Sequence, residues 1–77
     1  MTRRELYETL DDILEIPIGT IRGEETLASL KNWDSLSVVS YIATCNGLFG
    51  VVLEGDRVKA CTTVGDLAAL VASHLAD

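Results

Sequence analysis

The chain has 77 residues, with 12 acidic against 6 basic side chains and a formal net charge of -6. A chain this short buries only about 60–65% of its unfolded surface, which excludes a large enzyme fold and requires a core built from a few well-packed elements. The charge disfavours a nucleic-acid backbone or an anionic lipid surface as partner and points to a basic one, while 48% apolar residues exclude a disordered acidic tail.

Thr2, with Glu5 three positions later, can satisfy the first orphan amides of a helix, and Leu6, Leu10, Ile13 and Leu14 then recur at helical spacing. Pro17 opposes continuation, so the first helix is predicted over Arg3 to Glu15. Ile18 to Trp33 has no sustained period and contains Gly19 and Gly23; it reads as an ordered crossover loop anchored by Leu27 and Leu30. Asp34 caps a second helix from Ser35 to about Leu48, using the amides near Leu36 and Ser37. Its packing face is predicted from Leu36, Val39, Ile42, Cys45 and Phe49, widened by Val38 and Tyr41. Val51 to Leu53 carries a competing strand signal beside Gly50. A short helix is expected near Asp56 to Cys61, and Thr63 with Asp66 opens a last helix that packs through Val64, Leu67, Ala68, Val71 and Leu75. The sum is an all-α bundle of three main helices, one short helix and a long first loop, with the nearly uncharged second helix at its centre.

Ser35 to Leu53 carries no charge over 19 positions and approaches the length of a membrane span. Ser37, Ser40, Thr44, Asn46, Gly47 and Gly50 interrupt it, so no membrane insertion is expected, and the amino terminus lacks the apolar run of a signal peptide. A cytoplasmic monomer is the resulting expectation. Cys45 and Cys61 lie outside any CxxC pair and read as reduced core thiols, with one disulfide as the alternative. His74, the single histidine, reads as a surface helix residue. Asp11 and Asp12 are adjacent on a helix and so do not face each other; their surroundings read as solvated. No catalytic residue and no metal site are predicted, and the chain is not read as an enzyme.

Asp34-Ser35-Leu36 differs from these. A serine in the first turn of a helix, after an unpatterned loop, projects its oxygen to solvent where helix amides can stabilise an attached phosphate. By itself this is a candidate modification site, and an ordinary capped helix start is the alternative.

The order and spacing of Asp34-Ser35-Leu36, Phe49-Gly50 and Thr63-Val64-Gly65-Asp66-Leu67 resemble the acyl carrier protein family over essentially the whole chain, 1–77, read as one domain. The resemblance implies an acyl-carrier-like four-helix bundle that bears covalent 4'-phosphopantetheine on Ser35, with Asp34 as the acidic neighbour used by a Mg²⁺-dependent phosphopantetheinyl transferase. The terminal thiol of the arm would hold acyl groups as thioesters and present them to acyl-loading and acyl-processing enzymes with basic docking surfaces. Leu36, Val39 and Ala43 match positions that face partners or lie beside the arm, with simple helix packing as the other reading. Trp33 is either an anchor for a partner or a closure of the loop onto the core.

Carriers of primary fatty-acid synthesis usually line the second helix with acids, where this chain has Ser37, Ser40, Asn46 and Gly47. That departure implies a free-standing carrier of polyketide or other specialised acyl metabolism. An aminoacyl or peptidyl carrier is the alternative, and a non-carrier helical interaction module is the third reading.

Overall fold

In a computed structural model of the chain, which describes residues 1–76, four helices form: α1 (Arg3–Ile13), α2 (Ser35–Phe49), α3 (Gly55–Lys59) and α4 (Val64–Ala69). Single 3₁₀ turns at Leu27–Ser29 and Ala72–His74 accompany them. No strand occurs among the described residues, and Val51 to Leu53 is irregular. The reciprocal caps read from the sequence open α1 and α4. Thr2 Oγ1 accepts from the Glu5 amide at 3.2 Å while Glu5 Oε1 accepts from the Thr2 amide at 3.0 Å. Thr63 and Asp66 repeat the exchange, each bond at 3.1 Å.

The helix ends depart from expectation, each for a local reason. α1 stops at Ile13 instead of Glu15 because Glu15 turns left-handed, φ 57°, and the Ile16 amide folds back onto the Asp11 carbonyl at 3.0 Å. α2 runs one residue further, to Phe49, and closes on Gly50 at φ 69°, a conformation that glycine adopts without a Cβ penalty. The short third helix covers Gly55–Lys59, slightly ahead of its predicted span. α4 is brief because Tyr41 intervenes: its hydroxyl donates to the Leu67 carbonyl at 2.7 Å, and the Val71 amide, which would continue the helix onto that carbonyl, turns instead to Ala68.

The core gathers Leu6, Leu10 and Leu14 of the first segment, Val38, Tyr41 and Cys45 of α2, Val58 of α3, and Val64, Leu67 and Val71 around α4. α2 packs against α1 and α3, as its low charge implied. Its inward face keeps Val38, Tyr41 and Cys45 of the predicted set but not Leu36 and Val39. Leu36 and Val39 are 76% and 63% exposed, Ile42 and Phe49 are half-buried, and Ser37, Val38, Tyr41 and Cys45 point inward. Apolar residues occupy most of the circumference of α2, so periodicity does not select a face; the cap at Asp34 and the buried Ser37 set the rotation. Burial holds the Tyr41 phenol far above its ordinary range and also raises both thiols. Cys45 is a core residue, Cys61 lies at the core's margin, and both are free. His74 stacks on Phe49 with ring centroids 5.3 Å apart.

The long connection is fixed to the bundle by carboxylates. Asp11 is fully buried and accepts from the amides of Gly19, at 2.8 Å, and Ile21, at 3.0 Å. The solvated reading is therefore wrong for Asp11 and right for exposed Asp12; helical spacing cannot reveal amides arriving from a loop ten residues away. Further along, Glu25 accepts from the amides of Arg22 and Gly23. A single antiparallel bridge between Thr26 and Thr63 then ties the connection to the entry of α4, through Leu27 N to Thr62 O at 2.8 Å and Val64 N to Glu25 O at 3.0 Å. Leu27 is buried and Leu30 half-buried, the anchors the sequence suggested.

Candidate functional site

The start of α2 is held from two directions. The Asp34 carboxylate accepts from the Ser37 amide at 3.0 Å, and Ser37 Oγ accepts from the Asp34 amide at 3.3 Å while donating to the Asn32 carbonyl at 2.8 Å. Asn32 in turn donates its side-chain N–H to the Leu14 carbonyl at 2.8 Å, linking the connection to the end of α1. None of these bonds uses the Ser35 hydroxyl. Ser35 is the exposed first residue of a 15-residue helix, between an anchored cap and exposed Leu36. An anion esterified to its oxygen would stand at the positive end of the helix, where free backbone N–H groups and the macrodipole favour negative charge.

The Ser37 amide, above all, holds the Asp34 carboxyl below its ordinary value, so the residue beside Ser35 stays anionic well into acid. Asp66 is lowered in the same way by the amides of Thr62 and Thr63. For Glu25, desolvation is the largest single influence and acts upward, yet the loop amides led by Arg22 together outweigh it and hold the carboxyl low. A carboxyl depressed by folding stabilises the fold above its ordinary pKa, here 3.8 for aspartate and 4.5 for glutamate, and loses that contribution as pH falls through the lower folded value. Thermal melts are therefore expected to be level from about pH 7 to 5 and to fall steeply below about pH 4. A melting temperature unchanged down to about pH 2.5 would contradict these assignments.

Leu36, Val39 and Ala43 share one exposed face of α2, with exposed Ser40 between them, so the packing alternative for these three residues is not realised. Ser37 is the opposite case. It was matched to an acidic position of a docking stripe, yet it is buried and serves the cap. Trp33 is half-buried and packs on the core, so it closes the loop, with part of its indole still accessible. A groove of about 460 Å³ lies between the end of α1 and the start of α2, bordered by Leu14, Lys31, Asn32, Asp34, Leu36 and Ser40, with Ser35 outside its lining. The sequence reading missed Asn32 and Lys31. The Asp34-x-x-Ser37 spacing is a visible signal for the cap, whereas the Asn32 partner lies 18 residues back in the chain. Among the described residues no group of side chains could hold a metal ion, and no helix is long and apolar enough to cross a membrane.

The family described as "Phosphopantetheine attachment site" matches residues 4–71. An acyl carrier protein of Acidothermus cellulolyticus is 31% identical over 68 residues, covering 88% of this chain and 81% of the relative. An acyl carrier protein of Thermobifida fusca is 31% identical over 62 residues, covering 80% of this chain and 78% of the relative. No solved structure matches.

Proposed function

The chain belongs to the acyl carrier protein family and carries covalent 4'-phosphopantetheine, and from that premise we propose that Ser35 is the residue that bears it. The observation that carries this reading is the exposed Ser35 hydroxyl at the first position of α2, left out of the cap that Asp34 and Ser37 close around it. These residues fit the group: an open hydroxyl to esterify and a helix terminus to receive the phosphodiester. When bound, the arm supplies a thiol that holds acyl groups as thioesters.

The chain's own residues present, orient and recognise. Asp34 fixes the backbone on which Ser35 stands and keeps a negative charge beside it for the phosphopantetheinyl transferase. Leu36, Val39 and Ala43 offer an uncharged face to the transferase and to acyl-loading and acyl-processing enzymes, while the net charge of -6 favours basic partners at longer range. Members of the family are carriers and not catalysts. The cargo we assign is an acyl intermediate of polyketide or other specialised acyl metabolism, a reading supported by the absence of acidic residues along α2.

The test is intact mass before and after incubation with coenzyme A, Mg²⁺ and a broad-specificity transferase. One phosphopantetheinyl group is expected on the native chain and none on Ser35→Ala. Equal modification of the two would move the attachment site elsewhere. Presenting the holo chain with acyl, aminoacyl and peptidyl donors then tests the cargo, and loading by an aminoacylating enzyme alone would replace the acyl reading.

A further inference from the structure

The most voluminous cavity described, about 690 Å³, lies away from Ser35, at the opposite end of α1. Arg3 and Arg4 of the first helical turn and Arg22 of the connection line it, with Tyr7, Glu8 and Gly19. Three of the chain's six cationic side chains thus meet around one cavity whose lining has a single carboxylate, in a molecule of net charge -6. Arg4 and Leu14, which borders the groove at the start of α2, are ten residues apart, or about 15 Å along the rise of a helix.

Three features show that the site is built and not a chance gathering of side chains. Buried Asp11 fixes the Gly19 and Ile21 amides, and Glu25 fixes those of Arg22 and Gly23, so the lip carrying Arg22 is held in place. Tyr7 lies so close to Gly23, φ 107°, that a Cβ there would stand 2.8 Å from its ring, which fixes the floor. Finally, Arg4 occupies the helix end where a cation opposes the macrodipole. That choice works against helix stability, and such local conflicts are expected where a residue serves recognition.

We infer that this cavity docks an acidic segment of a partner protein, at a site separate from the Ser35 surface. Guanidinium groups contributed both by α1 and by the connection suit carboxylates, which they bind in paired, directional hydrogen bonds. A nucleic acid is disfavoured because the rest of the chain would repel a polyanion, whereas a short acidic segment needs only the local positive field. Holding a partner here leaves Ser35 free and raises the partner's effective concentration near it.

The test is a titration of the isotopically labelled chain with hexaglutamate peptide, followed by amide correlation spectra, with inorganic phosphate and oligothymidylate run in parallel. The peptide is expected to move the signals of Arg4, Tyr7, Gly19 and Arg22 saturably, and Arg4→Glu/Arg22→Glu to weaken it by at least about tenfold. Glu suits the first turn of a helix, so the charge reversal at Arg4 favours folding and lost binding would not report unfolding. Arg57→Glu/Lys59→Glu is expected to leave peptide binding intact. Modification of Ser35 in Arg4→Glu/Arg22→Glu is expected at the native rate, which separates this site from the attachment reading. Unmoved signals, or binding indifferent to the Arg4→Glu/Arg22→Glu change, would overturn the proposal. Oligothymidylate or phosphate binding as tightly as the peptide would overturn it too, in favour of a nucleic-acid or small-anion site.

Discussion

Asp11→Ala is expected to remove a large share of the chain's stability. The carboxylate is fully buried and holds two amides of the connection, one of them on buried Ile21. Losing an acceptor leaves each donor with a desolvation cost of about 1–3 kcal/mol, so the substitution costs about 2–6 kcal/mol. A domain of this size has only about 4–11 kcal/mol to lose. Urea denaturation followed by circular dichroism measures the difference, and Asp11→Asn, which keeps one acceptor oxygen, is expected to fall between native and alanine. A loss below about 1 kcal/mol for Asp11→Ala would show that water or a neighbouring group replaces the clamp.

Leu36→Glu is expected to impair partner engagement with little effect on the fold. Leu36 is 76% exposed, so its replacement gives up little burial, and an acidic side chain in the first turn of α2 is favourable for the helix. Beside Ser35, however, it sets a desolvated charge into an apolar contact, and central apolar contacts of this kind cost about 2 kcal/mol or more when lost, roughly thirtyfold in association. Transferase kinetics are expected to show a raised KM with kcat nearly unchanged, because the hydroxyl and its cap are untouched. Salt is expected to slow native association, by screening the long-range attraction of the net charge of -6, and to leave dissociation nearly unchanged, since the contacting face of α2 carries no charge. Native-like KM in Leu36→Glu, together with dissociation that steepens with salt, would shift docking to the acidic residues outside α2.

The caps and element types could be read before any coordinates, because Thr2–Glu5, Asp34 and Thr63–Asp66 are short-range signals whose partners sit three residues away. The helix bundle and the buried Leu6, Leu10 and Leu14 followed from clear amphipathic spacing. The face of α2 followed only in part, with Val38, Tyr41 and Cys45 buried as expected but Leu36 and Val39 exposed, since apolar residues surround most of this uncharged helix and its rotation depends on Ser37 meeting the Asn32 carbonyl. Burial of Asp11 was equally hidden, because it depends on where the connection returns. At the candidate site, Ser35 stood out by position in the chain, while the groove and the exposure of Leu36 and Val39 required the fold.

Glu5, Asp11, Glu25, Asp34 and Asp66, five of the chain's 12 acidic residues, accept hydrogen bonds from backbone amides. In a molecule with no strand among its described residues and few long helices to absorb its backbone donors, carboxylates take over part of that task. The low isoelectric point is then in part a by-product of how the chain turns its corners. A scan that neutralises acids one by one to map partner contacts would confuse lost docking with lost folding at those five positions. Glu8, Asp12, Glu15, Glu24, Glu54 and Asp56 are the better choice for such a scan.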